Sequence, residues 1–443
     1  MPRRLGLAAL GLAVALSLTA CSGPANTTIT VKGTVTDGLS TPVGVAYSGV
    51  NATVAIDGTD VPVASDGTFT ITGVHAPYDA VVGIPSWNLV MVWVGLTRSD
   101  PTLALFLPGQ MDTANVSGSI GTTLGANEVG VILPGGAGFA KGGTMLSPSS
   151  GPTFGPIAIG WGGSASRDTT LYALTGQVPT GGGPPTSYTG YGSANVSLAD
   201  GVPVSGESIS LGSVSTGAMG GHVSIPSGYT LDADGVVVRM GAPTGALLGI
   251  PPNTPSTSFT GLNVPVHSGI AYGITAKASN AAGRVTQAWR DASGPGTTAT
   301  ITLPAPAVPT APASSATNVK PGTTFSWTAL PSAVYLAELL APSSSDPTVY
   351  IVTTRTSIPL PDTSAVGMPL TGGLTYGYQV QTMGPFASID DFARPGALDG
   401  WIQLQTLFAS GSGTVPYGTG STDAPGAGVF WTQSDFSTFT AAP

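Results

Sequence analysis

The sequence predicts an all-β protein built from several β-sandwich domains in tandem, of the Ig-like or transthyretin-like kind. Short runs in which apolar and polar residues alternate recur along the chain, as in half-buried strands. The 64 glycines and 39 prolines among 443 residues are typical of frequent turns and few helices. Charged residues are only 8% and hydrophobic residues 41%, which favours folded structure over a solvated coil. The length suffices for three or four domains.

The N-terminus has the order of a secretory signal. Arg3 and Arg4 precede an apolar run over residues 5–18, which is too short to span a bilayer as a mature helix. The next residues, Leu-Thr-Ala-Cys at 18–21, resemble the lipobox of bacterial lipoproteins. The resemblance implies cleavage before Cys21 and lipid attachment to it. A cleaved signal with an incidental cysteine is the alternative. Cys21 is the only cysteine, so an internal disulfide is excluded.

These features predict the location and partners of the protein. One acyl chain anchors a protein only marginally, but the lipoprotein resemblance implies two or three. Residues 21–28 form a flexible tether, and we expect a lipid-anchored protein of the cell envelope, favouring the outer membrane. Envelope proteins or glycans are the expected further partners. A net charge of −9 without a basic cluster argues against nucleic acid.

The first predicted domain covers residues 29–111. Residues 29–36 alternate with a period of two, and Asp57-Gly58 and Asp66-Gly67 mark turns in a strand meander. This segment resembles the carboxypeptidase-regulatory-like (transthyretin-like) β-sandwich, which implies a non-catalytic module. The resemblance fails after Val74, where His75-Ala-Pro-Tyr replaces a common Gly-x-Tyr step.

Two further domains are predicted over residues 112–218 and 219–303. Similar opening strands recur at residues 115–120 and 221–226, giving a weak repeat of sandwich-sized units. A Pro/Ala segment at 304–312 is interpreted as an extended linker.

The last predicted domain covers residues 313–443. Trp327 and the Leu370 to Val380 segment resemble a fibronectin type III domain, which implies that Tyr376 makes a tyrosine corner. An insertion at 386–428 carries Asp390 and Asp391, and long loops of this kind are often functional or disordered.

The sequence contains no recognisable catalytic or cofactor motif, so we expect a protein that is not an enzyme. His75, His222 and His267 lie in separate regions without a cysteine partner. Clustered oxygens suit calcium, which makes Asp57, Asp60 and Asp66 weak metal candidates, although turn chemistry explains the Asp-Gly pairs equally. Exposed aromatics bind sugars by stacking, and the candidates, which are core residues in the alternative interpretation, are Trp161, Trp401 and Trp431.

Three functions remain open at this point. The first is a lipid-anchored, non-catalytic scaffold, adhesion or binding module. The second is a carbohydrate-binding or cell-wall-associated accessory protein. The third and weakest is a hydrolase with an unrecognised site in the 386–428 insertion.

Overall fold

A computed structural model describes residues 28–38, 41–47, 50–106, 111–135, 139–162, 165–241, 245–397 and 428–443. These are nearly all β-strand, which confirms the predicted fold class. The short helices are α1 (Val43–Ala46), α2 (Ile389–Phe392) and three 3-10 turns (Pro85–Trp87, Pro148–Ser150, Thr363–Val366). No helix in these ranges has the length and apolar character needed to cross a membrane. The signal, Cys21 and the tether up to residue 27 lie outside the described residues.

The first sandwich has the predicted strands and turns, but they do not form a meander, because the strand after the Asp66-Gly67 turn pairs in the other sheet. Its strands are β1 (Thr28–Thr36), β2 (Thr53–Ile56), β3 (Thr59–Pro62), β4 (Thr68–His75), β5 (Tyr78–Ile84), β6 (Leu89–Leu96) and β7 (Thr102–Ala104). The sheet β4-β1-β7 packs against strands β3-β2-β5-β6. Alternation directs Val31 and Val35 of β1 into the core, where both are fully buried. Asp57 and Gly58 adopt positive φ in the β2–β3 turn, as predicted.

The second sandwich consists of two four-stranded sheets of its own. Its strands are β8 (Asp112–Ser119), β9 (Glu128–Gly135), β10 (Phe139–Lys141), β11 (Thr144–Leu146), β12 (Thr153–Trp161), β13 (Ser166–Gln177), β14 (Ser187–Ala199) and β15 (Val204–Ser208). The sheets are β10-β12-β8-β15 and β11-β9-β13-β14. The long hairpin β13–β14 extends beyond the core, so its outer face reaches the third sandwich.

The third sandwich begins at Ser215, slightly before the predicted boundary. Its strands are β16 (Ser215–Ser224), β17 (Thr230–Met240), β18 (Ala246–Ile250), β19 (Ser258–Val266), β20 (Ile270–Ser279), β21 (Val285–Ala292) and β22 (Thr298–Thr302). Strands β19-β16-β22 pack against β18-β17-β20-β21. The opening strand pairs in parallel with the closing strand in all of the first three sandwiches (β1–β7, β8–β15, β16–β22), which gives the repeat a topological basis.

The fourth sandwich contains the expected tyrosine corner. Its strands are β23 (Pro309–Ala311), β24 (Ala316–Val319), β25 (Thr324–Trp327), β26 (Val334–Leu340), β27 (Thr348–Thr353), β28 (Ser357–Pro359), β29 (Thr375–Gly384), β30 (Val429–Gln433) and β31 (Ser437–Ala441). Tyr376 is fully buried, and its hydroxyl accepts a hydrogen bond from the backbone N–H of Thr371 at 2.9 Å. Trp327 is a core residue, as predicted.

The Pro/Ala segment at 304–312 does not lie between domains as the extended linker that its composition predicted. Ala307 is fully buried, and Pro309–Ala311 forms β23, which pairs with β25. Proline is compatible with such an edge strand because the missing N–H faces away from the partner. The segment is therefore part of the fourth sandwich.

The main departure from tandem, separate domains is a single sheet of 14 strands. Its order is β18-β17-β20-β21-β30-β29-β26-β27-β6-β5-β2-β3, with β31 beside β29 and β24 beside β31. The third, fourth and first sandwiches thus share one sheet. Two pairings make the connections, β21 antiparallel to β30 and β27 parallel to β6.

Candidate functional site

The junction of the first and fourth sandwiches is built on strand β6, which is buried on both faces. Met91 and Trp93 enter one core, whereas Val90 and Val92 enter another, and both cores contain residues of the fourth sandwich. Along its edge, β6 pairs with β27 from Leu89 through Trp93. Strand pairing fixes the relative position of the two sandwiches, because sliding breaks every ladder hydrogen bond and misplaces both cores.

Helix α2 fastens the same junction through Asp390, one of the two acidic residues singled out in the insertion. Its carboxylate accepts hydrogen bonds from the Thr97 N–H at 2.9 Å, the Thr97 hydroxyl, and the Arg98 N–H at 3.2 Å. The Arg98 guanidinium donates back to the Asp390 carbonyl at 2.9 Å. Asp391 forms a local ion pair with Arg394 at 3.1 Å. Asp390 therefore acts as a joint between sandwiches. Residues 398–427 of the insertion lie outside the described residues.

A polar network crosses the central strands of the shared sheet and ends on Glu338. The Gln379 amide and, at 2.6 Å, the Gln381 amide donate to its carboxylate. Trp431 Nε1 donates to Gln381 Oε1 at 2.7 Å, and the Gln433 amide donates to Gln379 Oε1 at 3.2 Å. Burial raises the pKa of Glu338 and outweighs the two amide bonds, which lower it. Each amide is both donor and acceptor, so the network fixes the alignment of β26, β29 and β30.

The junction of the third and fourth sandwiches contains a row of threonines. Thr286, Thr432 and Thr382 lie opposite one another on β21, β30 and β29 and are fully buried. Their hydroxyls have no hydrogen-bond partner within the part of the chain that the structure describes. β-Branched side chains fit a pleated surface well, so their methyl groups fill this seam.

The three aspartates considered as calcium ligands are not brought together. Asp57 accepts a hydrogen bond from the His75 N–H at 3.0 Å, and Asp66 accepts from the Thr68 N–H at 3.0 Å and the Thr68 hydroxyl at 2.6 Å. Asp60 is exposed on edge strand β3. Within the part of the chain that the structure describes, no group of three or more His, Cys, Asp or Glu could hold a metal ion. Turn formation accounts for Asp57 and Asp66.

The histidines have separate environments. The His75 ring lies 3.7 Å from the Asp57 carboxylate at the surface. His222 is exposed on β16, and the His267 ring packs on Tyr191 with 4.5 Å between ring centroids. This arrangement does not resemble a nucleophile–base pair.

The tryptophans considered for sugar stacking occupy core positions where they are described. Trp161 is fully buried and Trp431 is 7% exposed, with its indole N–H engaged by Gln381. Neither offers a ring face to solvent. Trp401 lies outside the described residues.

A cavity of about 320 Å³ lies between the second and third sandwiches. Its walls are mainly aliphatic and proline side chains, with Tyr188 as the aromatic member, and include Val129, Val131, Pro184, Leu248 and Pro251. The Tyr188 hydroxyl donates to the Asn263 carbonyl at 3.2 Å, which links the two sandwiches across this region. The cavity is therefore an interface feature lined by apolar groups.

One buried carboxylate predicts a measurable pH dependence of stability. Asp234 is 4% exposed, and its Oδ1 accepts a hydrogen bond from the Ser256 N–H at 3.0 Å. Its Oδ2 has no hydrogen-bond partner in the described ranges. Burial raises the pKa of Asp234 from 3.8 to about 6. The folded state therefore binds the Asp234 proton more tightly than the unfolded state does. Protonation of Asp234 stabilises the folded state below pH 4, and this stabilisation is lost as the pH rises through 6.

Asn stays neutral at every pH, so the Asp234→Asn variant is expected not to lose stability as the pH rises. At about 1.4 kcal/mol per pKa unit, the variant gains up to about 3 kcal/mol over wild type at pH 7 and little at pH 4. Urea unfolding between pH 4 and 7 measures the difference. Asp232→Asn, on the exposed face of the same strand, is the matched control. Parallel pH profiles for wild type and Asp234→Asn contradict the assignment.

Comparisons with known proteins yield no family. No family model and no curated protein matches the chain. Parts of it are similar to a fimbrial assembly protein from Parabacteroides distasonis, at 7% identity over 41% of this chain and 95% of that chain with a TM-score of 0.17. Similarity also extends to two Lactobacillus rhamnosus GG proteins. The pilus adhesin SpaC is 11% identical over 63% of this chain and 43% of that chain, with a TM-score of 0.13. The shaft pilin SpaA is 11% identical over 44% of this chain and 98% of that chain, with a TM-score of 0.15.

Proposed function

We propose that the protein is a lipid-anchored cell-envelope protein that serves as a non-catalytic scaffold for adhesion or binding. The observation that carries this proposal is the sheet shared by three sandwiches. Flexible linkers allow domains to reorient, whereas continuous strand pairing and the Asp390 joint hold them as one body. A rigid body of this kind suits the display of binding surfaces at fixed spacing.

The proposed anchor is lipid on Cys21, as the lipobox resemblance implies. Strand β1 begins at Thr28, so six residues separate it from the anchor. Fully extended at about 3.3–3.6 Å per residue, this tether spans at most roughly 20–22 Å. The first sandwich is thus held near the membrane surface.

Changing Cys21 to Ala is expected to release the protein from the membrane. Detergent-phase partitioning and intact mass are the measurements, made on wild type and variant side by side. Wild type should enter the detergent phase with the mass of a lipidated chain beginning at Cys21, and the variant should remain aqueous. If both proteins stay in the aqueous phase and are cleaved elsewhere, the proposed anchor is wrong.

A cell-adhesion assay tests the scaffold role. Cells that lack the protein should regain adhesion when they express wild type but not when they express Cys21→Ala. Hydrolytic turnover that a single substitution abolishes would contradict a non-catalytic role.

A further inference from the structure

A polar cleft of about 520 Å³ lies on the outer face of the hairpin β13–β14 in the second sandwich. Further along the same face, Leu174 and Tyr191 pack against the third sandwich. The cleft begins where polar residues replace these apolar ones. On the outer face the cleft is lined by the side chains of Asp168, Thr170, Tyr172, Asn195 and Ser197. Thr169 and Val196 also border it, but strand alternation places their side chains, which are buried, on the opposite face of the hairpin. Among the described residues that line it, there is one carboxylate and no cationic group.

The polar side chains form two hydrogen-bonded pairs across the strands. Asp168 lies opposite Ser197, and the Ser197 hydroxyl donates to Asp168 Oδ1 at 2.6 Å. Thr170 lies opposite Asn195, and the Thr170 hydroxyl donates to Asn195 Oδ1 at 2.9 Å. These bonds orient the groups but leave the second Asp168 oxygen, the Ser197 lone pairs and both Asn195 N–H donors for a ligand. Acceptors and donors are thus presented side by side.

Two glycines fix the aromatic wall of the cleft. A Cβ at Gly135 would lie 2.5 Å from the Tyr172 ring, and one at Gly241 would lie 1.9 Å from its hydroxyl. Gly241 also has a φ of +78°, which disfavours a side chain. The Tyr172 ring is therefore held between two backbone segments. Because the Tyr172 side chain already has little conformational freedom, it loses little conformational entropy when a ligand binds.

We propose that this cleft binds a neutral saccharide through Asp168, Asn195 and Ser197, which deepens the proposed function by naming a ligand class. The two pairs are two residues apart along the strands, roughly 6.6–6.8 Å. This distance exceeds the reach of one hydrogen-bonding group. A sugar ring carries several hydroxyls, each a donor and an acceptor, and engages both pairs together. The single carboxylate, unopposed by a cation in the lining, disfavours anionic ligands.

The test uses the purified chain with Cys21→Ala, so that the lipid plays no part. An array of neutral chito-, cello- and maltooligosaccharides together with sialylated glycans identifies the bound class, and titration calorimetry measures the strongest neutral ligand. Asp168→Ala and Asn195→Ala should each weaken binding at least about tenfold, equivalent to about 1.4 kcal/mol. The matched control is Asp232→Ala, which removes a similar exposed Ser–Asp bond, from Ser279 at 2.9 Å, outside the cleft. It should bind as wild type does.

Three results overturn the proposal: binding to none of the neutral oligosaccharides, binding to sialylated glycans alone, or unchanged affinity in both Asp168→Ala and Asn195→Ala. Thermal unfolding of each variant separates loss of binding from loss of fold, since both positions are exposed and should retain the wild-type transition. Failure here leaves anchoring and adhesion unaffected, because those are measured on the lipidated protein in cells.

Discussion

Removing residues 304–443 is expected to make the first sandwich insoluble. In the intact chain, Val90, Val92 and Val94 on β6 are at most 4% exposed because they face the core shared with the fourth sandwich. Exposing a buried valine costs about 1.5–3 kcal/mol. Three of them together approach the whole net stability of a domain, about 5–15 kcal/mol. The truncation also strips β27 from β6, leaving an apolar edge strand open to aggregation.

Size-exclusion chromatography and far-UV circular dichroism of residues 28–303 measure this outcome. Co-expression with residues 304–443 is the matched control, and the two pieces should co-purify because β6 regains its partner. A soluble, monomeric 28–303 fragment with a cooperative unfolding transition for the first sandwich contradicts the fused sheet and returns the chain to independent tandem domains.

Local pattern was sufficient for individual strands and turns. The alternation at residues 29–36 and the Asp57-Gly58 and Asp66-Gly67 turns depend on neighbouring residues only, and all appear in the structure. The hydrogen bond from the Thr371 N–H to the Tyr376 hydroxyl is equally local, and it was expected from the fibronectin type III resemblance. Period and turn chemistry are visible in sequence, so these elements were predictable.

The shared sheet was not predictable in the same way. Strand β27 pairs with β6 across about 260 residues of sequence, and nothing in a strand's own pattern identifies so distant a partner. One signal was present nevertheless. The run Leu-Val-Met-Val-Trp-Val at residues 89–94 of β6 is apolar without alternation, which is typical of a strand buried on both faces. A sandwich with one solvated face does not need such a strand.

The candidate binding cleft also could not be predicted from the pattern of its individual strands. Strands at residues 170–174 and 195–198 were predicted, but the register that places Asp168 beside Ser197 and Thr170 beside Asn195 comes from the hairpin as a whole. The sequence instead indicated tryptophans as sugar-binding candidates, because it shows which residues are aromatic but not which are buried. Trp161 and Trp431 proved to be core residues.

Replacing Trp93 by Ala is expected to destabilise the first and fourth sandwiches together. Trp93 is fully buried, and its ring lies 5.6 Å from that of Phe392 on α2, so it bridges β6 and the Asp390 joint. Truncating a buried tryptophan costs about 3–5 kcal/mol. Trp93 Nε1 has no hydrogen-bond partner among the described residues, so Trp93→Phe removes only ring volume and should cost less than Trp93→Ala. Trp87→Ala, at a half-buried position on the Tyr47 ring, is the control of smaller effect.

Urea unfolding gives the size of the Trp93→Ala effect, and hydrogen exchange gives its extent. If one sheet joins the sandwiches, backbone amides of β26 and β29 should exchange faster in the variant along with those of β5, because opening either sandwich breaks the β6–β27 ladder. Faster exchange confined to β5 and β6 contradicts this coupling. The result therefore distinguishes a rigid scaffold from a chain of independent domains, which is the physical difference on which the proposed role depends.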